Sequence, residues 1–335
     1  MQKGMRLPMN GKIRFSKYAG LSTGRYIRYR YMNKHAAGTA LWKLARLVLL
    51  AGLTFIILQP LIIKLLSSLM SAQDLLDKTV QLVPRDATLD NYIKVIDVTG
   101  YWKAFLNNAL VSLMSAVLQT LVAACVGYGL AKFKFKGRGI VFAAVIFTLI
   151  VPPHAILTSL YLKFRFFDIL GILGIFGKSI NLTENIGVMA VVSVTGLGLK
   201  NGLYMFIMRQ FYRGVPDELI EAAYIDGSDV YRTFGSIMLP LSLPTMLTIF
   251  LLSFCWQWTD TFYSGIFFKS LPVLPGILNV LQAVKTSIVV AFAGDYSFSI
   301  FLNTGVLLII APLVLIYVFA QRFFVQGIER SGITG

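Results

Sequence analysis

Histidine and cysteine, the side chains that most often bind metals or act as nucleophiles, are rare in this chain of 335 residues. The two histidines, His35 and His154, lie far apart, and no metal-ligand spacing joins them to other ligating residues. Cys125 and Cys255 fall inside apolar segments, which favours small buried side chains over a disulfide framework. The apolar segments also lack paired carboxylates and a nucleophile with a base beside it. The sequence therefore argues against a metal site and a catalytic centre, and it predicts no cofactor.

The string GILGIFGKS, which begins at Gly171, approaches the pattern of a phosphate-binding loop. Such a loop cradles phosphates with backbone N–H groups between a strand and a helix, and it needs a glycine five positions before Gly177. This sequence has Ile172 at that position, and no strand is predicted ahead of it. We therefore expect no nucleotide site in this chain.

Two groups of residues inside apolar segments have the chemistry to bind a solute. Lys200 and Asn201 stand in the middle of one segment, within the small-residue pattern Gly198-x-x-x-Gly202 that suits close helix packing. Sugars are held by aromatic faces and planar hydrogen-bonding groups, and such residues cluster near the end of another segment. An interfacial aromatic belt at a helix end explains this second group equally well, so both interpretations stay open. The second group is Phe254, Trp256, Gln257 and Trp258.

The composition places these residues in a membrane. Hydrophobic residues make up 56% of the chain, charged residues 14%, and the mean hydropathy is +0.72. A soluble domain of this length is not expected to be so apolar, so the bilayer is the expected solvent. The pattern of apolar runs predicts six membrane spans. They are about Leu44–Met70, Ala104–Ala131, Gly139–Leu160, Ile186–Met208, Leu241–Trp258 and Ile300–Ala320.

Two apolar stretches depart from this simple pattern. Pro152-Pro153 breaks the third predicted span, and either a bend that lines a pathway or a plain kink explains it. The stretch Leu271–Ala293 contains two prolines and Lys285. We interpret this stretch as a re-entrant or surface segment of the outer face, because an even number of spans keeps both chain termini on one side.

The net charge of +16 is concentrated near the N-terminus, where residues 1–46 contain eleven basic residues and no acidic one. Positive residues beside a first span mark the cytoplasmic side, which is a simpler explanation than nucleic-acid binding. A second basic cluster follows the second predicted span. The basic residues are Lys3, Arg6, Lys12, Arg14, Lys17, Arg25, Arg28, Arg30, Lys34, Lys43 and Arg46, then Lys132, Lys134, Lys136 and Arg138. We expect a basic cytoplasmic extension over residues 1–40, a membrane domain over 41–322 and a cytoplasmic tail over 323–335.

One charged stretch, residues 209–240, lies between the fourth and fifth predicted spans and cannot lie in lipid. Pro216 suits a first helical turn, and Leu219, Ala222, Ala223 and Ile225 form an apolar stripe at helical spacing. The stretch predicts two short helices joined by a bend at Gly227. Ser228 is the expected cap of the second helix, and Pro240 is expected to end it. A solvated linker is the alternative.

The order of residues in this stretch favours a specific family. The run EAAYIDG, followed by PLSLP from Pro240, resembles the EAA motif of ABC importer permeases. The string RQFYRGVPDELIEAAYIDGSDVYRTFGSIMLPLSLP resembles the maltose-type sugar permeases, and VPRDATLDNYIKVI resembles the outer loop after their first helix. The resemblance extends from about Thr88 to the C-terminus. The final SGITG departs from the common GAVKG, with Thr334 in place of its lysine.

The resemblance implies an all-α integral membrane fold, with six transmembrane helices of the ABC importer permease (MetI-like) type and a cytoplasmic coupling-helix loop. It implies a bacterial cell membrane and both termini in the cytoplasm. The implied partners are a second, different permease, two copies of an ATPase, and an extracytoplasmic solute-binding protein. The implied substrate is a carbohydrate, with an oligosaccharide favoured. The residues implied to contact the ATPase are Glu221, Ala222, Ala223, Asp226 and Gly227.

Three other functions are alternatives to this one. A permease of the same type for a non-sugar solute has the same architecture. A membrane enzyme lacks its catalytic groups, as described above. A secondary transporter needs acidic residues inside the spans to bind coupling ions, and only Asp260, at the outer end of the fifth predicted span, is placed for that role.

Overall fold

Helices make up almost all of the regular structure in the part of the chain that the computed structural model describes. That part comprises residues 34–71, 73–74, 77, 79–80, 82–151, 153–168, 175, 179–286 and 295–332. One isolated antiparallel bridge joins Phe167 to Ile180. The helices are α1 (Lys34–Ser68), α2 (Asp90–Thr99), α3 (Tyr101–Lys132), α4 (Arg138–Ile150), α5 (Leu157–Arg165), α6 (Gly187–Val194), α7 (Asn201–Gly214), α8 (Glu218–Ile225), α9 (Val230–Thr233), α10 (Leu239–Trp258), α11 (Phe262–Phe267), α12 (Ile277–Ala283) and α13 (Asp295–Gly332).

Among the described residues, four helices are long and apolar enough to cross a membrane: Leu41–Ser68, Tyr101–Lys132, Val230–Trp258 and Phe298–Gln321. These four correspond to the first, second, fifth and sixth predicted spans. The third and fourth predicted spans are each split into two shorter helices.

The break in the third predicted span lies at its prolines, as expected. Helix α4 ends at Ile150, and a 3-10 turn, Pro153–Ile156, leads into α5. Pro152 lies outside the described residues, and the side chain of His154 is outside the described part as well. A proline has no N–H to donate and its ring crowds the preceding turn, which favours the end of a helix just before this pair.

The fourth predicted span is interrupted where the sequence predicts a continuous small-residue face. Helix α6 ends at Val194 and α7 begins at Asn201, so Gly198 lies in the break and Gly202 in a helix. Both glycines nevertheless allow close packing. A Cβ atom at Gly198 would lie 2.5 Å from Gln119 Nε2, and one at Gly202 would lie 2.8 Å from the Val145 carbonyl oxygen. The prediction of close packing is thus confirmed, while the prediction of one unbroken helix is wrong.

The chain divides into two compact units, residues 1–63 and 64–335. In the first unit the described residues belong to α1, and every side chain from 41 to 63 is exposed. A helix that is apolar on all sides is typical of a membrane span. In the second unit Lys64 donates a hydrogen bond to Asn303 Oδ1 at 2.8 Å, and Asn303 Nδ2 donates to Ser67 Oγ at 3.0 Å.

Helix α3 is the centre of the second unit, because it packs against α6, α7 and α10. Its apolar neighbours form three clusters of buried residues. One contains Trp258, Leu274 and Phe301, one contains Tyr128, Met208 and Ile249, and one contains Phe164, Val188 and Phe267.

The stretch Leu271–Ala293 does not form a spanning helix in its described part. It contains a 3-10 turn, Leu274–Gly276, and the seven-residue α12, whose Ile277 and Leu281 are buried. A helix of this length is far shorter than the roughly 20 residues that a bilayer requires. Residues 287–293 of the predicted segment lie outside the described residues.

The fifth predicted span begins earlier than expected. Pro240 does not end a helix, because α9 continues through the π-helical turn Phe234–Met238 into α10. Backbone hydrogen bonding continues through this wider turn, since Leu239 N donates to the Phe234 carbonyl. A π turn beside a proline accommodates the missing donor.

The last helix also exceeds its predicted length. Helix α13 runs from Asp295 to Gly332, so most of the stretch expected to be a tail after residue 322 is helical. Thr334 lies outside the described residues.

Candidate functional site

The charged stretch folds as two helices joined by a tight turn. Helix α8 ends at Ile225, and Gly227 adopts a φ of 80°. The turn is closed by hydrogen bonds from Gly227 N to the Tyr224 carbonyl and from Ser228 N to the Ala223 carbonyl, at 3.0 and 2.9 Å. The bend at Gly227 is therefore confirmed. The cap of the following helix is Asp229, whose carboxylate accepts a hydrogen bond from Arg232 N at 2.7 Å, so the assignment of the cap to Ser228 is wrong.

The two faces of α8 differ in exposure. Ile220 and Ala223 are buried against the rest of the chain, and Ala223 is 4% exposed. Leu219 and Ile225 are exposed, Ile225 by 86%, and Ala222 is exposed as well. The predicted apolar stripe is thus divided: one alanine packs inward, and the other belongs to an apolar surface. Glu221 and Asp226 are exposed beside that surface.

A lysine at the end of α3 joins this stretch to the membrane helices. Lys132 Nζ donates to the Val215 carbonyl at 2.6 Å and to Asp217 Oδ1 at 2.5 Å. The lysine side chain is only 8% exposed, whereas that of Asp217 is 75% exposed. The hydrogen bond from Lys132 lowers the pKa of the Asp217 carboxyl, so this group is ionised at neutral pH. Sequence analysis counted Lys132 as a topology signal and missed this contact.

We expect that Gly227→Val disrupts the turn, while Gly227→Asn preserves it. No atom lies within 4 Å of a Cβ at Gly227, so the effect comes from the positive φ and not from a clash. A left-handed conformation costs a residue with a Cβ about 1–2 kcal/mol. Asparagine adopts this conformation far more readily than valine does. Limited proteolysis of the loop in the membrane-embedded protein should be faster for the valine variant. Equal rates for the two variants would contradict the prediction.

A cavity of about 830 Å³ opens at the break between α6 and α7. Its lining includes residues of that break, of α4 and of α11. Two of the predicted solute-binding residues meet there: Lys200 Nζ lies 5.0 Å from the centroid of the Trp256 ring. Both side chains are exposed. Lys200 has a φ of 61°, which is uncommon for a residue other than glycine.

The other four predicted residues are buried. Asn201 donates from Nδ2 to the Ser193 carbonyl at 3.0 Å, while its Oδ1 atom is buried without a partner. Gln257 donates to Asp260 Oδ2 at 3.3 Å, and its Oε1 atom is likewise buried without a partner. Phe254 and Trp258 belong to the cluster around Leu274, and Trp258 Nε1 donates to the Ile309 carbonyl at 3.0 Å. The aromatic group therefore divides between a cavity face and a core face of α10.

A buried glutamine beside this cavity was missed from the sequence. Gln119 Oε1 accepts a hydrogen bond from Ser253 Oγ at 2.8 Å, and Gln119 Nε2 donates to Ser193 Oγ at 3.4 Å. The residue thereby connects α3, α6 and α10. The sequence did contain a signal for this residue, because polar residues that prove to be buried recur at helical spacing along α3. They are Asn108, Ser112, Ser115 and Gln119.

Asp260 has a structural role that accounts for its carboxylate. Its oxygens accept hydrogen bonds from the backbone N–H groups of Phe262, Tyr263 and Ser264, at 2.9, 3.1 and 3.1 Å, and from Gln257. These N–H groups belong to the first turn of α11, where they have no partner within the helix, so the carboxylate stabilises the start of this helix. All of these donors compete with a coupling ion, so the structure does not favour the secondary-transporter alternative. Among the described residues no group of three His, Cys, Asp or Glu side chains could hold a metal ion.

Comparisons with known proteins agree with this architecture. The family described as binding-protein-dependent transport system inner membrane component matches residues 119–330. The arabinooligosaccharides transport system permease protein AraQ of Halalkalibacterium halodurans is 28% identical over 288 residues, which are 85% of this chain and 94% of that protein. The alpha-glucoside transport system permease protein AglG of Rhizobium meliloti is 29% identical over 254 residues, which are 75% of this chain and 62% of that protein.

A solved structure shares the fold. It is the crystal structure of a bacterial ABC transporter involved in the import of the acidic polysaccharide alginate. The TM-score is 0.68 at 18% identity, and the alignment covers 86% of this chain and 98% of that chain. The chain belongs to the family of binding-protein-dependent transport system inner membrane components, and is thus a non-catalytic, multi-pass inner membrane permease subunit of an ABC importer.

Proposed function

We propose that this chain forms half of the translocation pathway for a carbohydrate, with an oligosaccharide favoured. Two relatives support this substrate class, since their names refer to arabinooligosaccharides and alpha-glucosides. The cavity at the α6–α7 break supports it too, because its lining combines the Trp256 indole with the hydroxyl groups of Thr148 and Thr261. Aromatic faces and hydroxyl groups are suited to the two faces of a sugar ring.

The coupling role is carried by one observation, the exposed apolar surface of α8. A short helix outside the lipid gains nothing from exposing Leu219, Ala222 and Ile225 unless a partner covers them. We assign that partner as the ATPase. In this assignment Ala222 enters its groove, Ala223 holds α8 on its own chain, and Gly227 makes the turn. Glu221 and Asp226, both exposed, contact basic residues on the ATPase.

The proposed architecture has six membrane crossings. Four are the continuous helices, and the other two are the interrupted pairs α4–α5 and α6–α7. Broken helices are tolerated at membrane depth where they line a cavity, which is where the α6–α7 break lies. Both termini are placed in the cytoplasm, with a basic extension over residues 1–40, the membrane domain over 41–322, and a C-terminal segment over 323–335. The other half of the pathway comes from a second, different permease.

The proposed pathway passes the cavity. Lys200, Asn201 and Trp256 line the cavity and contact the solute, and Gln257 forms the layer behind them. Phe254 and Trp258 act from the core face, where they hold α10 in position.

The function is tested by reconstitution into liposomes. The chain, co-expressed with its neighbouring permease and ATPase, is expected to yield one copy of each permease with two copies of the ATPase. Uptake of a labelled oligosaccharide should require both ATP and the solute-binding protein. Uptake that persists without ATP in the presence of an ion gradient would overturn the proposal, as would a transporting homodimer of this chain.

The proposed orientation is tested by labelling single cysteines with an impermeant thiol reagent. Cys125 and Cys255 are first replaced by alanine. In intact cells Ala87→Cys, in an exposed loop before α2, should react with the reagent from outside. Ser228→Cys should react only after the membrane is permeabilised. Labelling of Ser228→Cys in intact cells contradicts the cytoplasmic position of α8.

A further inference from the structure

The cavity at the α6–α7 break carries a positive charge that no acidic residue of its described lining neutralises. Of the described residues that line it, Lys200 is the only one with an ionised side chain, and none is Asp or Glu. The exposed Trp256 ring lies beside the ammonium group but carries no net charge. A ring face stabilises a cation through its quadrupole and leaves the positive charge available to a ligand. The nearby carboxylate of Asp260 is occupied by its own hydrogen bonds to α11 and Gln257.

The backbone adds positive potential at the same place. Lys200 is the N-cap residue of the 14-residue α7, it has a φ of 61°, and no side chain caps this helix end. The N-terminus of a helix carries a partial positive charge, which favours anions and disfavours a lysine. Lys200 is therefore unfavourable both in its charge and in its backbone conformation. Strain of this kind accumulates where a ligand or substrate is bound.

A buried acceptor points to the rest of the ligand. Asn201, next along the chain, also lines the cavity, is 1% exposed, and has an Oδ1 atom without a hydrogen-bond partner. A buried acceptor left unpaired is unfavourable, and a donor supplied with the ligand relieves it. A solute that carries a negative group with a hydroxyl group near it would satisfy both the Lys200 ammonium group and the Asn201 Oδ1 atom.

We propose that this cavity binds an acidic carbohydrate, with the carboxylate of a uronic acid on Lys200 and the N-terminus of α7, and a neighbouring hydroxyl on Asn201 Oδ1. This inference rests on the proposed carbohydrate function and narrows it to a substrate class. The 830 Å³ of the cavity accommodates a short oligosaccharide segment, because small-ligand sites span about 300–1,000 Å³. Trp256 stabilises the ammonium group within the cavity.

The test compares two sugars that differ in one group: cellobiose, and cellobiouronic acid, in which a hydroxymethyl group is replaced by a carboxylate. Binding is measured by calorimetry on the full chain with its co-purifying subunits in neutral detergent, without the solute-binding protein. We expect the acid to bind at least tenfold more tightly than the neutral sugar, and the difference to shrink at high salt. Lys200→Gln should abolish the difference, whereas Lys269→Gln, at an exposed lysine outside the cavity, should keep it.

Equal affinity of the parent protein for the two sugars, or binding of neither, overturns the inference. A preference for the acid that survives Lys200→Gln also overturns it. The reconstitution experiment tests ATP-driven uptake, and its result is independent of this binding experiment. If the protein binds the acid through Lys200 but imports no carbohydrate with ATP, the inferred binding site stands and the proposed transport function fails.

Discussion

Ala222→Asp is expected to abolish co-purification of the ATPase while the membrane domain folds normally. Ala222 is exposed on α8, so the new carboxylate meets only water in the isolated chain. In the docked complex it would enter a groove as an unpaired charge, which costs about 3 kcal/mol or more. That corresponds to more than roughly hundredfold weaker binding. The measurement is the ratio of ATPase to permease after affinity purification.

Two substitutions serve as controls for this variant. Ala222→Ser is nearly as small and uncharged, and should retain the ATPase. Ala223→Asp changes the buried alanine of the same pair, so it should lower the thermal stability of the protein, which Ala222→Asp should not. If Ala222→Asp retains the ATPase and its solute-stimulated hydrolysis, the exposed surface of α8 is not the coupling contact.

Lys132→Met is expected to separate ATPase binding from transport. The methionine preserves the buried aliphatic stem but removes the hydrogen bonds to Val215 and Asp217. Hydrogen bonds of a charged group contribute about 1.5–3 kcal/mol. Their loss shifts the ratio of attached to detached α8 by roughly ten- to 150-fold. The exposed surface of α8 is unaltered, so the ATPase should still co-purify, while uptake should fall at least tenfold.

The comparison with neighbouring groups makes this prediction specific. Lys134→Met and Lys136→Met remove the same charge from exposed lysines of the same connection and should leave uptake unchanged. Asp217→Asn should have a smaller effect than Lys132→Met, because Asp217 is exposed and the Val215 hydrogen bond remains. Loss of ATPase binding in Lys132→Met would mean that this lysine shapes the docking surface itself. Normal uptake would exclude a role in coupling.

Local signals predicted the features that depend on local chemistry. Gly227 makes its turn because only a residue tolerant of positive φ fits there, and α4 ends at Ile150, shortly before two residues that the sequence shows to be prolines without an N–H donor. The family assignment, made on the residues around Glu221, is confirmed by the family match over residues 119–330.

Features that depend on contacts between distant residues were not predictable. The burial of Ala223 and the exposure of Ala222 follow from how α8 lies on its own chain, which two identical residue types cannot reveal. The contact of Lys132 with Val215 joins residues 83 positions apart. Pro240 was expected to break a helix, but a π turn precedes it and ends at Met238, which is fully buried in contact with distant parts of the chain.

That π turn has a mechanical consequence. Because helical structure continues from Val230 to Trp258, the second arm of the charged stretch and the fifth predicted span form one helical element of 29 residues. At 1.5 Å per residue it is about 43 Å long, so a tilt of about 5° around its midpoint moves each end by roughly 2 Å. One end begins at the turn after α8, and the other end carries Trp256, which contacts Lys200. This helical element thus acts as a lever: a displacement of either end also moves the other end. Linkage between two binding sites is reciprocal. A solute that moves Trp256 must therefore change the affinity for the ATPase by the same factor as the ATPase changes the affinity for the solute.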